Sequence, residues 1–118
     1  MNSRTPANLW ELRRACSHLL ERTADKTAAD LRADYDLSLI VERLFERIGE
    51  TLRRIHDSDP ARVERIDGYR RAINLRNIIA HQYYNVDWTR IRTLLDGPVP
   101  AMLASIDELI AEIPKELQ

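Results

Sequence analysis

Four residue types are scarce in this 118-residue chain: it has one cysteine, three glycines and one phenylalanine, and Lys26 and Lys115 are its only lysines. A lone Cys16 excludes an intramolecular disulfide and makes a reducing compartment the simpler expectation, with the thiol packed as a small hydrophobe. Scarce glycine beside plentiful charge favours an all-α chain, and no strand pattern, internal repeat or low-complexity tract appears. No apolar run has the character of a signal sequence or the length of a membrane span, so a cytoplasmic protein without a membrane partner is expected. The length suits one domain, residues 1–118, able to bury its own core.

A net charge of −1 gives no whole-protein field of the kind that marks a nucleic-acid binder. The local balance differs. Arg53, Arg54, Arg62, Arg65, Arg70, Arg71 and Arg76 stand against Asp57, Asp59, Glu64 and Asp67, a positive excess that is either a solvated face or a track for phosphate.

Helical periodicity divides the chain. Thr5 is the expected N-cap of a first helix with Pro6 at its first position, followed by Leu9, Leu12, Cys16, Leu19, Leu20 and Thr23. After a break or loose turn over residues 24–29, one long helix is expected from about Asp30 to His56. Leu37, Val41, Leu44, Ile48, Leu52 and Ile55 form its stripe, and Tyr35, Ile40 and Phe45 widen it. Gly49 inside that helix suggests a close helix approach. Ser58-Asp59-Pro60 ends it, and Asp67-Gly68 reads as the N-cap and first turn of the next helix. Asp87, more simply a cap than an acid, starts a helix over residues 88–95. A last helix runs from about Pro100 to Ile113. Trp10 and Trp88 are expected to pack. The fold class is an antiparallel bundle of four to five helices.

The stretch from Arg76 to Tyr84 concentrates polar chemistry on a helix that is apolar nearly all round and therefore central. At about 100° per residue, Arg70, Asn74, Asn77 and His81 form one stripe, whereas Arg76 lies about 140° from His81. Tyr83 falls about 20° from Arg76, two turns on.

Arg76, four residues, His81, one residue and Tyr83 together resemble the signature of the HEPN superfamily in its HepT-type branch. Ile48-Gly49-Glu50, Asn77 and Val86-Asp87 extend the likeness, which covers about Leu31 to Ile110. The resemblance implies a symmetric homodimer with its motif residues facing an interface cleft. It also implies a ribonuclease toxin of a type VII-like toxin–antitoxin pair, silenced when a minimal nucleotidyltransferase (MNT-type) antitoxin transfers AMP to Tyr83.

The residue types suit such chemistry. Attack by a ribose 2′-hydroxyl on its own phosphodiester needs a proton carrier active near neutral pH, a role for His81, and a cation on the phosphate oxygens, a role for Arg76. Asn77 would orient the imidazole or bind substrate, or is a buried polar residue bonded to a neighbouring helix; Arg70 and Arg71 would line the RNA groove. Glu50 is either a structural partner for an arginine or a base. His56 sits near a helix C-terminus, where a cation is favoured, and His18 looks like a surface or dimer-face residue. No cofactor is expected, since His18, His56 and His81 are not spaced with carboxylates as a metal-ligand set. Side chains about 140° apart on a regular helix do not converge on one phosphate, so pairing of two subunits is the preferred way to complete the site. The competing function is a non-catalytic helical subunit that binds a nucleotidyltransferase partner; a plain dimerisation domain is a third.

Overall fold

Leu9, Leu12, Cys16 and Leu19 recur at three- and four-residue intervals, and each is wholly buried, so the first helix turns one apolar stripe inward. The computed structural model describes residues 1–82 and 86–118, with the backbone alone over 76–82. Helix α1 spans Thr5–Thr23. Thr5 is not its N-cap. Arg4, which has no side-chain acceptor, holds that position without a cap bond, and the Thr5 hydroxyl instead donates to Asp59 at 2.7 Å.

The long helix expected from Asp30 is two helices, α2 (Ala28–Ala33) and α3 (Tyr35–Ser58). Two caps in succession impose the break. Thr27 accepts from the Asp30 N–H while the Asp30 carboxylate accepts from the Thr27 N–H, a capping box that starts α2. Asp34, extended at φ −92° and ψ 98°, then accepts from the Leu37 N–H and starts α3. On α3, Leu37, Val41, Phe45, Ile48, Leu52 and Ile55 are buried as expected, but Tyr35 is 74% exposed and lies off the stripe. Burial of each such aliphatic side chain contributes about 1.5–3 kcal/mol.

Asp59 ends α3 and precedes the single turn α4 (Pro60–Val63). The following helix, α5 (Tyr69–Gln82), begins later than the Asp67-Gly68 reading expected. Gly68 adopts φ +76°, a left-handed conformation suited to glycine, and its carbonyl accepts from the Ala72 N–H at 3.0 Å. The Asp67 N–H donates to Ser105 Oγ at 3.1 Å, pinning this turn to the last helix. Helix α6 (Trp88–Asp96) opens at Asp87, whose carboxylate accepts from the Arg90 N–H, so the cap reading of Asp87 holds. Helix α7 (Pro98–Ala111) starts two residues earlier than expected. Pro98 and Pro100 both fit a first turn, where the missing N–H costs nothing. A short 3₁₀ turn covers Lys115–Leu117.

Helix α3 is the centre of the bundle, pairing with α5 on one side and α1 on the other, while α7 packs on α1 and α6 on α2 and α7. Thr5 meets Asp59 and Glu11 meets Arg47, so α1 and α3 run antiparallel. His56 lies against Tyr69, so α5 folds back along α3. The buried cluster draws Leu31 from α2, Leu52 and Ile55 from α3, Leu95 from α6, and Ile106 and Leu109 from α7. All-α architecture is thus as expected, with two short helices, α2 and α4, added to the long ones. Trp88 packs as expected, whereas Trp10 is 54% exposed on α1. No described helix is long and apolar enough to cross a membrane.

Candidate functional site

Helix α5 carries the motif, and its start is fixed on two sides. Behind it, Gly68 and the Asp67–Ser105 bond set where the chain turns; beside it, the Tyr69 ring is buried, with the His56 ring centroid 6.5 Å away. The Arg70 guanidinium lies over the Tyr69 ring, 5.2 Å from its centroid. Such a cation–π contact holds the charge in place without neutralising it.

Arg76, Asn77 and His81 all fall within the α-helical backbone of α5, which continues to Gln82. Their side chains lie outside the described residues, as do Tyr83 and Tyr84 altogether. The continuity still matters. With α-helix across both, positions 76 and 81 stand about 140° apart around the axis.

The two accessory arginines separate. Arg70 lines a cleft between the end of α3 and the start of α5, together with Arg53, His56, Ile73 and Asn74. Arg71 instead borders a narrow apolar crevice with Phe45, Leu75, Leu94 and Met102. Other members of the arginine-rich segment are engaged in structure: Arg62 lies 3.8 Å from Asp59, Arg65 forms a two-pronged pair with Glu112, and Arg54 donates to Thr51 at 3.1 Å. The hydrogen bond from Arg65 holds the Glu112 carboxyl below its ordinary range. Glu50 accepts from Arg43 at 3.4 Å, in keeping with its reading as a structural partner for arginine. His18 is exposed on α1. Among the described residues, no group of His, Cys, Asp and Glu stands close enough to hold a metal ion.

The α3 half of this cleft leaves little mark in the residue order. Arg53 was countable only as part of a charge excess, and His56 only as a helix-end cation. Their meeting with Arg70 and Asn74 depends on α5 folding back on α3, which the short connection through α4 enforces.

Across residues 12–109 the chain matches the family described as ribonuclease HepT-like, a span that runs from within α1 to within α7 and includes the whole of α5. The chain belongs to the ribonuclease HepT-like family. The HEPN-type helical fold of that family and the all-α bundle agree, and Arg76 and His81 sit on the helix that packs most extensively against the central α3. No curated protein and no solved structure matches the chain.

Proposed function

We propose that this HepT-like chain is a metal-independent endoribonuclease toxin of a type VII-like pair, acting as a homodimer and silenced by AMP transfer to Tyr83 from a nucleotidyltransferase antitoxin. One observation carries most weight: α5 is α-helical through both Arg76 and His81, and the chain belongs to a ribonuclease family. An unbroken α-helix turns about 140° between positions 76 and 81, so a twofold-related copy of α5 is the economical way to bring an arginine and a histidine to one phosphate.

In this reading, His81 takes the proton of the ribose 2′-hydroxyl as that oxygen bonds to phosphorus. Arg76 holds the charge that builds on the non-bridging oxygens. The bond from phosphorus to the 5′-oxygen breaks, the 5′-oxygen takes a proton from solvent while His81 returns its own to solvent, and the products are a 2′,3′-cyclic phosphate and a 5′-hydroxyl. Asn77 supports the imidazole or the substrate, and Arg70 binds the strand nearby. For silencing, the Tyr83 hydroxyl attacks the α-phosphorus of ATP on the antitoxin, and pyrophosphate leaves. The added phosphate would fill the cleft and neutralise Arg76.

Purified protein, shown by mass to be unmodified at Tyr83, should cleave RNA in the presence of chelator and leave 2′,3′-cyclic phosphate ends. Arg76→Ala and His81→Ala should each remove cleavage while retaining helicity and dimer mass. An unmodified protein that leaves RNA intact would overturn the nuclease reading and favour a non-catalytic subunit that binds a nucleotidyltransferase.

A further inference from the structure

Arg53 near the end of α3 and Arg70 in the first turn of α5 belong to different helices, yet line one cleft with His56, Asn74 and Ile73 over the buried Tyr69. Arg53, His56, Arg70 and Asn74 are all exposed, so the cleft presents two guanidiniums, an imidazole and an amide to solvent. Among the described residues lining it, none is acidic. The nearby carboxylate is Asp57, 3.6 Å from Arg53 and 3.4 Å from His56. Both pairs are largely exposed, where an ion pair contributes about 0–1 kcal/mol and yields readily to a competing anion. No carboxylate among the described residues pairs with Arg70, whose guanidinium lies over Tyr69.

Position along α5 indicates which anion the cleft takes. Asn74 shares a helical stripe with Asn77 and His81, and at 1.5 Å per residue it stands about 10 Å from His81 along the axis. One phosphate cannot touch both. A strand laid along α5 from His81 towards Tyr69 would bring a different phosphate of the same chain into the cleft.

We propose that this cleft is a subsite for single-stranded RNA beyond the scissile phosphate. Arg53 and Arg70 grip one backbone phosphate from two helices, while His56 and Asn74 donate to it or to the attached nucleotide. The subsite rests on the nuclease reading for its substrate but not for its measurement, because binding is scored separately from cleavage. Tyr69 is a positioning residue: it is buried, and it orients Arg70 rather than meeting RNA.

Binding of a fluorescent single-stranded RNA dodecamer to the cleavage-incapable His81→Ala protein tests the subsite. Each phosphate that is no longer neutralised should reduce the dependence of log affinity on log salt by about 0.7 for a single strand, so Arg53→Ala/Arg70→Ala, which releases the one phosphate both hold, should reduce that slope by about 0.7. The lysine pair Arg53→Lys/Arg70→Lys, which keeps both charges, should hold most of the slope. In cleavage, Arg53→Ala should raise KM for the dodecamer about tenfold more than for a dinucleoside monophosphate, which is too short to reach the cleft. An unchanged salt slope in the alanine pair, or equal losses on both substrates, overturns the subsite while leaving the nuclease reading intact. Binding that depends on Arg53 and Arg70 in a wild-type protein that cleaves neither substrate upholds the subsite and overturns the nuclease reading.

Discussion

The Thr5 hydroxyl donates to Asp59 Oδ2 at 2.7 Å, joining the first turn of α1 to the residue that ends α3 and precedes α4. The Asn2 N–H donates to the same oxygen at 3.0 Å. Burial pushes the Asp59 carboxyl up, but these two hydrogen bonds, with Arg62 and the N-terminal ammonium, outweigh it and hold the group below its ordinary range. A depressed folded value means that the ionised group stabilises the fold above the unfolded carboxylate pKa of about 3.9 and loses that contribution as pH falls through the lower folded value. Thermal melts of wild type between pH 6 and pH 2 should therefore fall more steeply than those of Asp59→Asn. Thr5→Val, which removes one donor to a buried carboxylate, should cost about 1.5–3 kcal/mol in urea unfolding at neutral pH. Parallel acid melts in wild type and Asp59→Asn would show that this contact is not linked to acid stability.

Cys16 is wholly buried on α1, and burial pushes its thiol up to about 12. At pH 8 the folded protein should resist a disulfide exchange reagent and react fully in denaturant, since only the thiolate attacks. Rapid titration of Cys16 in the native protein would contradict the packing of α1 against its neighbours.

Gly68 holds φ +76°, and an added Cβ would meet the Met102 side chain at 4.0 Å, an ordinary contact. The penalty of Gly68→Ala should thus come from backbone conformation alone, about 1–2 kcal/mol. Gly68→Asn should cost less, because asparagine tolerates this region. Equal stability of all three proteins by denaturant midpoint would mean that the turn into α5 is not left-handed.

The proposed completion of one site by two copies of α5 can be tested by complementation. A heterodimer of Arg76→Ala and His81→Ala chains would contain one site with both groups, supplied by opposite subunits, and one with neither. Mixed dimers should regain about half the wild-type activity per dimer, whereas each homodimer stays inactive. Persistent inactivity of a verified heterodimer would place both groups of each site on the same subunit.

The capping box beneath α2 gives a separate measure of the break before α3. Thr27→Ala should cost about 1 kcal/mol of stability, and Asp34→Ala a similar amount through α3. Amide exchange near Asp30 and Leu37 should rise in the respective variants. No change at either amide would argue for one continuous helix.

Helical periodicity was the legible part of the chain, because each long helix buries a stripe whose spacing the residue order must carry. Leu37 to Ile55 on α3 shows it most directly. The break at Asp34 is carried by Thr27, Asp30 and Asp34, but the apolar residues on either side continue one another's phase and mask it. Exposure of Trp10 and Tyr35 could not be read that way, for it depends on which faces neighbouring helices cover. The family motif around Arg76 and His81 was legible because it is local in sequence. The pairing of Arg53 with Arg70 was not, being a product of the turn through α4 and Gly68.

Arg13 of α1 bonds Asp107 of α7 across 94 positions, and Arg92 of α6 donates to the carbonyls of Thr23, the last residue of α1, and of Lys26 just beyond it at 2.7 and 2.8 Å. Helix α1 must therefore wait, its leucine stripe partly uncovered, until α6 and α7 have been synthesised. Long-range closure of this kind slows folding and leaves nascent chains exposed to chaperones and proteases. The helix α5 that carries the motif gains its full structural support only after that wait, which sets a lag between translation of the motif and maturation of the bundle around it.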